Sequence, residues 1–139
     1  MSFQTPPTQY LGKPLARLLI ADDDPVARNA LAVQLGRDFE LTSAAADAEE
    51  AISIADQERP DIALLDLQMP AGGGLHATRE IHDRLPETAI VILSIDETHD
   101  GTVELLAAGA ISYLRKGEPV PHGLAAHLHE ALRAQRNEP

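Results

Sequence analysis

The chain has 139 residues, 22 acidic against 11 basic, a net charge of −11 and no cysteine. This length suits one domain, the lack of cysteine excludes disulfides and thiolate metal sites, and the acidic excess argues against direct nucleic-acid binding. No apolar stretch approaches membrane-spanning length and no basic-then-apolar signal peptide opens the chain, so a cytoplasmic protein without membrane contact is expected.

Residues 1–15 contain Pro6, Pro7, Gly12 and Pro14 without periodicity and read as a flexible leader. A first strand is predicted over 17–21, ending in Asp22-Asp23-Asp24. Asp24 stands where an N-cap belongs and Pro25 where a first helical turn starts. Val26, Ala30, Leu31, Val33 and Leu35 then give a helix that stops at Gly36. Phe39, Leu41 and Ser43 alternate as a second strand. Asp47 caps a second helix, which Pro60 closes off. The third strand, about 61–65, runs into Asp66. Gly72-Gly73-Gly74 is a turn entering a helix from Leu75 to about Leu85; no Lys-Ser/Thr follows, so it is not a nucleotide P-loop. A fourth strand over about 89–93 ends in Ser94, and a helix runs from about 99 to Ala108. A fifth strand over about 111–114 ends in Arg115-Lys116, and a last helix spans roughly 121–136. His127 and His129 stand two apart on it, not on one face as ligands spaced i, i+4 would. Aromatics are limited to Phe3, Tyr10, Phe39 and Tyr113, so the core must be built from Leu, Ile, Val and Ala.

Five strands alternating strictly with five helices imply an α/β fold: a doubly wound, flavodoxin-like parallel sheet of order 2-1-3-4-5. Ligands in such sheets bind beyond the carboxyl ends of the strands, at the switch point between strands 1 and 3. The chain therefore delivers Asp22, Asp23, Asp66, Ser94 and Lys116 to one edge. Carboxylates brought together repel unless a cation joins them, and hard oxygen donors suggest Mg²⁺.

The pieces LLIADDDPVAR, IALLDLQMPAGGG, VILS and AGAISYLRK, in this order and at these spacings, resemble the receiver domain of two-component response regulators. Their style is similar to the receivers of regulators that carry a C-terminal helix-turn-helix. The resemblance places the receiver at 16–136 and leaves 137–139 as a tail or linker stub. It implies that Asp66 is the phosphoacceptor, forming an acyl phosphate. It implies that Asp23 ligates Mg²⁺ directly, that Asp22 acts mainly through a bound water, and that Asp66 and the backbone carbonyl of Gln68 complete the protein ligands. Ser94 matches the switch hydroxyl and Lys116 the amine that pairs with Asp66 at rest and with a phosphoryl oxygen afterwards. Tyr113 matches the switch aromatic.

Four positions are set apart from the family pattern. Gly117 stands where proline is common, so no cis bond is expected there and the loop should be more flexible. Ile95 is bulky where a small residue usually flanks the phosphoryl pocket. Gln68 and Asp96 hold positions that tune dephosphorylation.

The implied function is Mg²⁺-dependent phosphoryl transfer from a histidine kinase or phosphotransfer protein to Asp66. This switches the face formed by helix 4, strand 5 and helix 5 towards an output domain or downstream protein, with homodimerisation on phosphorylation left open. The domain would be no enzyme beyond its own phosphorylation and dephosphorylation. Two rivals stand beside this reading. One is an unphosphorylated pseudo-receiver serving as an interaction module. The other is a metal-dependent phosphohydrolase of similar fold, which would need a general acid such as an aspartate two residues after the nucleophile, where Gln68 stands.

Overall fold

Apolar runs too short for helices, set between capped amphipathic segments, fold into the architecture their alternation predicts. The computed structural model describes residues 14–95 and 101–138. In chain order these form β1 (Arg17–Ala21), α1 (Pro25–Leu35), β2 (Glu40–Leu41), α2 (Ala48–Glu58) and β3 (Ile62–Asp66). They continue with α3 (Gly73–Arg84), β4 (Ala89–Ser94), α4 (Thr102–Ala108), β5 (Ser112–Arg115) and α5 (Leu124–Gln135). The sheet has the order β2-β1-β3-β4-β5, and every pairing is parallel. This is the flavodoxin-like fold expected from the alternation. None of the described helices is long and apolar enough to cross a membrane.

Side chains alternate across the sheet, so each strand feeds two cores. Leu19, Ala21, Ala63, Leu65, Ile90 and Ile92 face α2, α3 and α4, with Tyr113 packed against that cluster. Leu18, Ile20, Leu64, Val91 and Leu93 face α1 and α5, where Leu35, Leu124 and Leu128 complete the second cluster. Central strands buried on both sides explain why their sequences read as unbroken apolar runs.

Helix ends follow local chemistry. The Asp24 carboxylate accepts a hydrogen bond from the Val26 amide, and Pro25 occupies the first turn of α1, where no N–H is needed. Asp47 caps α2 through the Glu50 amide. Arg59 then turns left-handed at φ 48° before Pro60.

Some boundaries differ from expectation. β2 is two residues long, with Phe39 buried ahead of it and pairing resumed only at an isolated Ala21–Ala45 bridge. β5 lies one residue later than predicted, at Ser112–Arg115. α5 begins at Leu124 because His122 and Gly123 take positive φ, 64° and 93°, which no helix permits. α4 begins at Thr102; the expected start near 99, the leader up to residue 13, and Asp96 lie outside the described residues.

The glycine turn was expected to enter α3 at Leu75, and α3 starts two residues earlier, at Gly73. Gly72 and Gly73 have φ of 110° and 75°, which only glycine adopts without strain. Gly74 is demanded by space instead. A Cβ there would lie 2.8 Å from the Asp66 carbonyl oxygen and 2.8 Å from Leu67 Cα, and its amide donates to the Leu67 carbonyl at 2.8 Å. Backbone on both sides cannot yield cheaply, so Gly74→Ala should cost about 2 kcal/mol in urea unfolding. It should also shift the amide resonances of Asp66 and Leu67. An alanine variant of wild-type stability would show that the turn can open.

Candidate functional site at the carboxyl edge of the sheet

The parallel register sets the site. Ala21 pairs with Leu65, so the next residues, Asp22 and Asp66, leave adjacent strands together. Ser94 ends β4 opposite Arg115, and the backbone N–H of Lys116 donates to the Ser94 carbonyl at 2.8 Å. Chain segments far apart in sequence thereby place an acidic pair, a third carboxylate, a hydroxyl and an amine at one edge.

The carboxylate oxygens of Asp22, Asp23 and Asp66 lie within 4.8 Å of one another. Asp22 and Asp66 are buried, Asp23 is exposed, and Ser94 is wholly buried. Lys116 Nζ stands 2.8 Å from Asp22 Oδ2 and 3.5 Å from Asp66 Oδ2. Lys116 thus pairs with Asp66, as the resemblance implied, and has in Asp22 a second and closer partner that the resemblance did not give it. Asp22 is an ion-pair acceptor here as well as a candidate for holding metal-bound water.

Burial pushes the Asp66 carboxyl up from 3.8 to about 6, and the neighbouring Asp22 charge pushes the same way. Lys116 and the Gln68 amide, 3.4 Å from Asp66 Oδ1, oppose the rise without cancelling it. Burial also opposes charge on Lys116, but its hydrogen bond to Asp22 and the charges of Asp66 and Asp22 outweigh it and hold the amine above its ordinary pKa. The site thus carries more negative charge than one lysine balances.

That donor set fits Mg²⁺. Three carboxylates converge with exposed Asp23 at the open side, and the uncompensated charge is what a hard divalent cation would relieve. Asp22, Asp23 and Asp66 are the residues able to hold it. Asp24 is spent on capping α1, as its position suggested.

The remaining predicted residues lie at varied distances from this centre. Tyr113 is half-buried against the core beneath α2, α3 and α4, at the level of Ile92. Ile95 is 66% exposed. Gly117 takes φ 84° and no cis peptide occurs among the described residues. The two histidines of α5 are separated by their partners: His127 Nε2 is 2.7 Å from Ser112 Oγ, whereas His129 stacks on Phe39 at 4.5 Å. Burial holds the His129 pKa down, with Asp38 raising and Arg133 lowering it. Sequence reading also gave no separate role to Arg28, whose Nη1 donates to the Asp22 carbonyl at 2.8 Å.

A doubly wound sheet with an acidic triad and a lysine at its switch point defines the receiver class. The chain belongs to the response regulator receiver domain family, whose family model matches residues 18–128. It is 33% identical over 127 residues to the transcriptional regulatory protein YxjL of Bacillus subtilis, covering 90% of this chain and 58% of that protein. It is 38% identical over 106 residues to the oxygen regulatory protein NreC of Staphylococcus epidermidis, covering 74% of this chain and 49% of NreC. The chain therefore spans about half the length of these curated relatives. Among solved structures, a LuxR-family two-component response regulator from Aurantimonas sp. superposes with a TM-score of 0.75 at 28% identity, covering 89% of this chain and 87% of that one. The BeF3-activated N-terminal receiver domain of Klebsiella pneumoniae RstA superposes with a TM-score of 0.76 at 27% identity, covering 84% and 98%.

Proposed function

We propose that this receiver domain accepts a phosphoryl group on Asp66 in a Mg²⁺-dependent reaction, from a histidine kinase or phosphotransfer protein. The observation that carries the proposal is the buried Asp66 carboxylate at the end of β3, with Asp22 and Asp23 within 4.8 Å and Lys116 at 3.5 Å. The beryllofluoride activation of the similar RstA receiver supports it.

A carboxylate oxygen of Asp66 attacks phosphorus in line, the bond to the donor's imidazole nitrogen breaks, and an acyl phosphate forms. Asp66 must be ionised to attack, and its pKa of about 6 keeps it so at neutral pH. Bound Mg²⁺ supplies neutralisation of charge on the transferring group. Lys116 then moves from its carboxylate partners towards a phosphoryl oxygen, and the Ser94 hydroxyl donates to another. Movement of Ser94 and Lys116 at adjacent strand ends is coupled to Tyr113 on β5, and so to the face of α4, β5 and α5. The domain acts on no substrate but its own aspartate, and an output domain or downstream protein reads that face.

Acetyl phosphate with Mg²⁺ is the test. Wild type should gain one acid-stable, base-labile phosphoryl group by intact mass, and Asp66→Asn none, because an amide is a poor nucleophile. Labelling of Asp66→Asn would remove Asp66 from its role. A wild type that no donor labels would favour the pseudo-receiver.

A further inference from the structure

Asp22 is held at every polar atom. Its amide donates to the Ala45 carbonyl at 3.0 Å. Its Oδ1 accepts from the Asp24 amide at 3.0 Å and its Oδ2 from Lys116 at 2.8 Å. Its carbonyl accepts from Arg28 Nη1 at 2.8 Å. Arg28 lies in the first turns of α1, half-buried, and its own amide donates to the Asp24 carbonyl at 2.9 Å. The side chain therefore reaches back over the acidic loop from the helix that follows it.

The carbonyl it grips belongs to the peptide plane joining Asp22 to Asp23, and a peptide plane turns as a unit. Fixing the Asp22 oxygen fixes the direction in which the chain enters Asp23. Asp23 is the exposed member of the triad, without burial to hold it in place. We infer that Arg28 is a positioning residue for a divalent cation at the Asp22–Asp23–Asp66 site, acting through the Asp22–Asp23 peptide. This rests on the Mg²⁺-dependent reading of that site.

The guanidinium has a second effect of opposite sign. Its positive charge near three carboxylates repels a cation. Removing Arg28 weakens Mg²⁺ binding if positioning dominates and tightens it if charge dominates. Groups that orient ligands commonly change metal affinity by 10- to 100-fold, whereas a partly solvated charge is screened. Positioning should win.

The experiment is a Mg²⁺ titration followed by amide chemical shifts, with thermal melts confirming the fold. Arg28→Met keeps the apolar stem and removes charge and donors, and should bind Mg²⁺ about tenfold more weakly than wild type. Arg28→Lys restores a donor and the charge and should recover most of the loss. In metal-free protein, the amides of Asp22 to Asp24 should shift in Arg28→Met while those of α5 do not. Unchanged or tighter Mg²⁺ binding by Arg28→Met overturns the role of Arg28 and leaves the site reading intact. A wild type that shows no Mg²⁺ response overturns both.

Discussion

Asp66→Asn should be more stable than wild type by up to about 3 kcal/mol in metal-free buffer at pH 7.5, the free-energy equivalent of a carboxyl raised from 3.8 to about 6. Burial and the neighbouring Asp22 both disfavour the charged form, and an amide of nearly the same shape has no charge to desolvate. The folded state binds this proton more tightly than the unfolded chain does. The group's contribution is therefore most favourable below pH 3.8 and is lost as pH rises through about 6. The stability difference between Asp66→Asn and wild type should accordingly open across that window and stay level above it. Urea unfolding at pH 4, 5, 6 and 7.5 measures it. Saturating Mg²⁺ should raise the wild-type midpoint and narrow the gap. A variant less stable than wild type at pH 7.5 would mean that Lys116 already compensates Asp66 fully.

The same unfavourable ionisation ties function to stability. In the proposed reaction, a carboxylate that costs the fold free energy at rest would gain when a cation or a phosphoryl group engages it, so that event would relieve the unfavourable ionisation. The energy involved is comparable to the 1–3 kcal/mol typical of couplings between sites.

How much of this was legible in the sequence depends on whether a feature is local. Strand ends were legible, because a run such as Ile62 to Leu65 buried on both faces has no polar residue until Asp66 stops it. Caps at Asp24 and Asp47 were legible, because their hydrogen bonds span two or three residues. The start of α5 was not: His122 is a non-glycine residue with positive φ, which no propensity announces. Nor was the shortness of β2, since Phe39 just ahead of it and Leu41 within it alternate to serve the α1–α5 core more than a ladder. At the site, the alternation brought Asp22, Asp66 and Lys116 to one edge but could not rank two carboxylates for one amine. That ranking turns on 0.7 Å, the difference between 2.8 and 3.5 Å. The space required at Gly74 and the grip of Arg28 on a backbone carbonyl are likewise tertiary facts.

Lys116→Ala should move stability the other way, by about 3 kcal/mol or more at pH 7.5 without metal. The Asp22 side chain is 1% exposed, and removing its cation leaves a buried carboxylate unpaired, a change that typically costs 3–5 kcal/mol. Lys116 has a folded pKa above its ordinary 10.5. Its contribution is therefore complete below that value and is lost only as pH rises through the higher folded one, so the loss should be constant across neutral pH. Mg²⁺ should return part of the stability by neutralising the same carboxylates. Double-mutant cycles then divide the interaction between its two partners. The geometry predicts a larger coupling of Lys116 with Asp22, in Asp22→Asn backgrounds, than with Asp66, in Asp66→Asn backgrounds, because the former contact is the shorter, 2.8 against 3.5 Å. With beryllofluoride and Mg²⁺ bound, Lys116 should exchange Asp22 for the bound group, and the coupling to Asp22 should fall. A coupling larger with Asp66 than with Asp22 in the resting protein would show that the 3.5 Å ion pair, not the 2.8 Å one, chiefly holds the amine at rest.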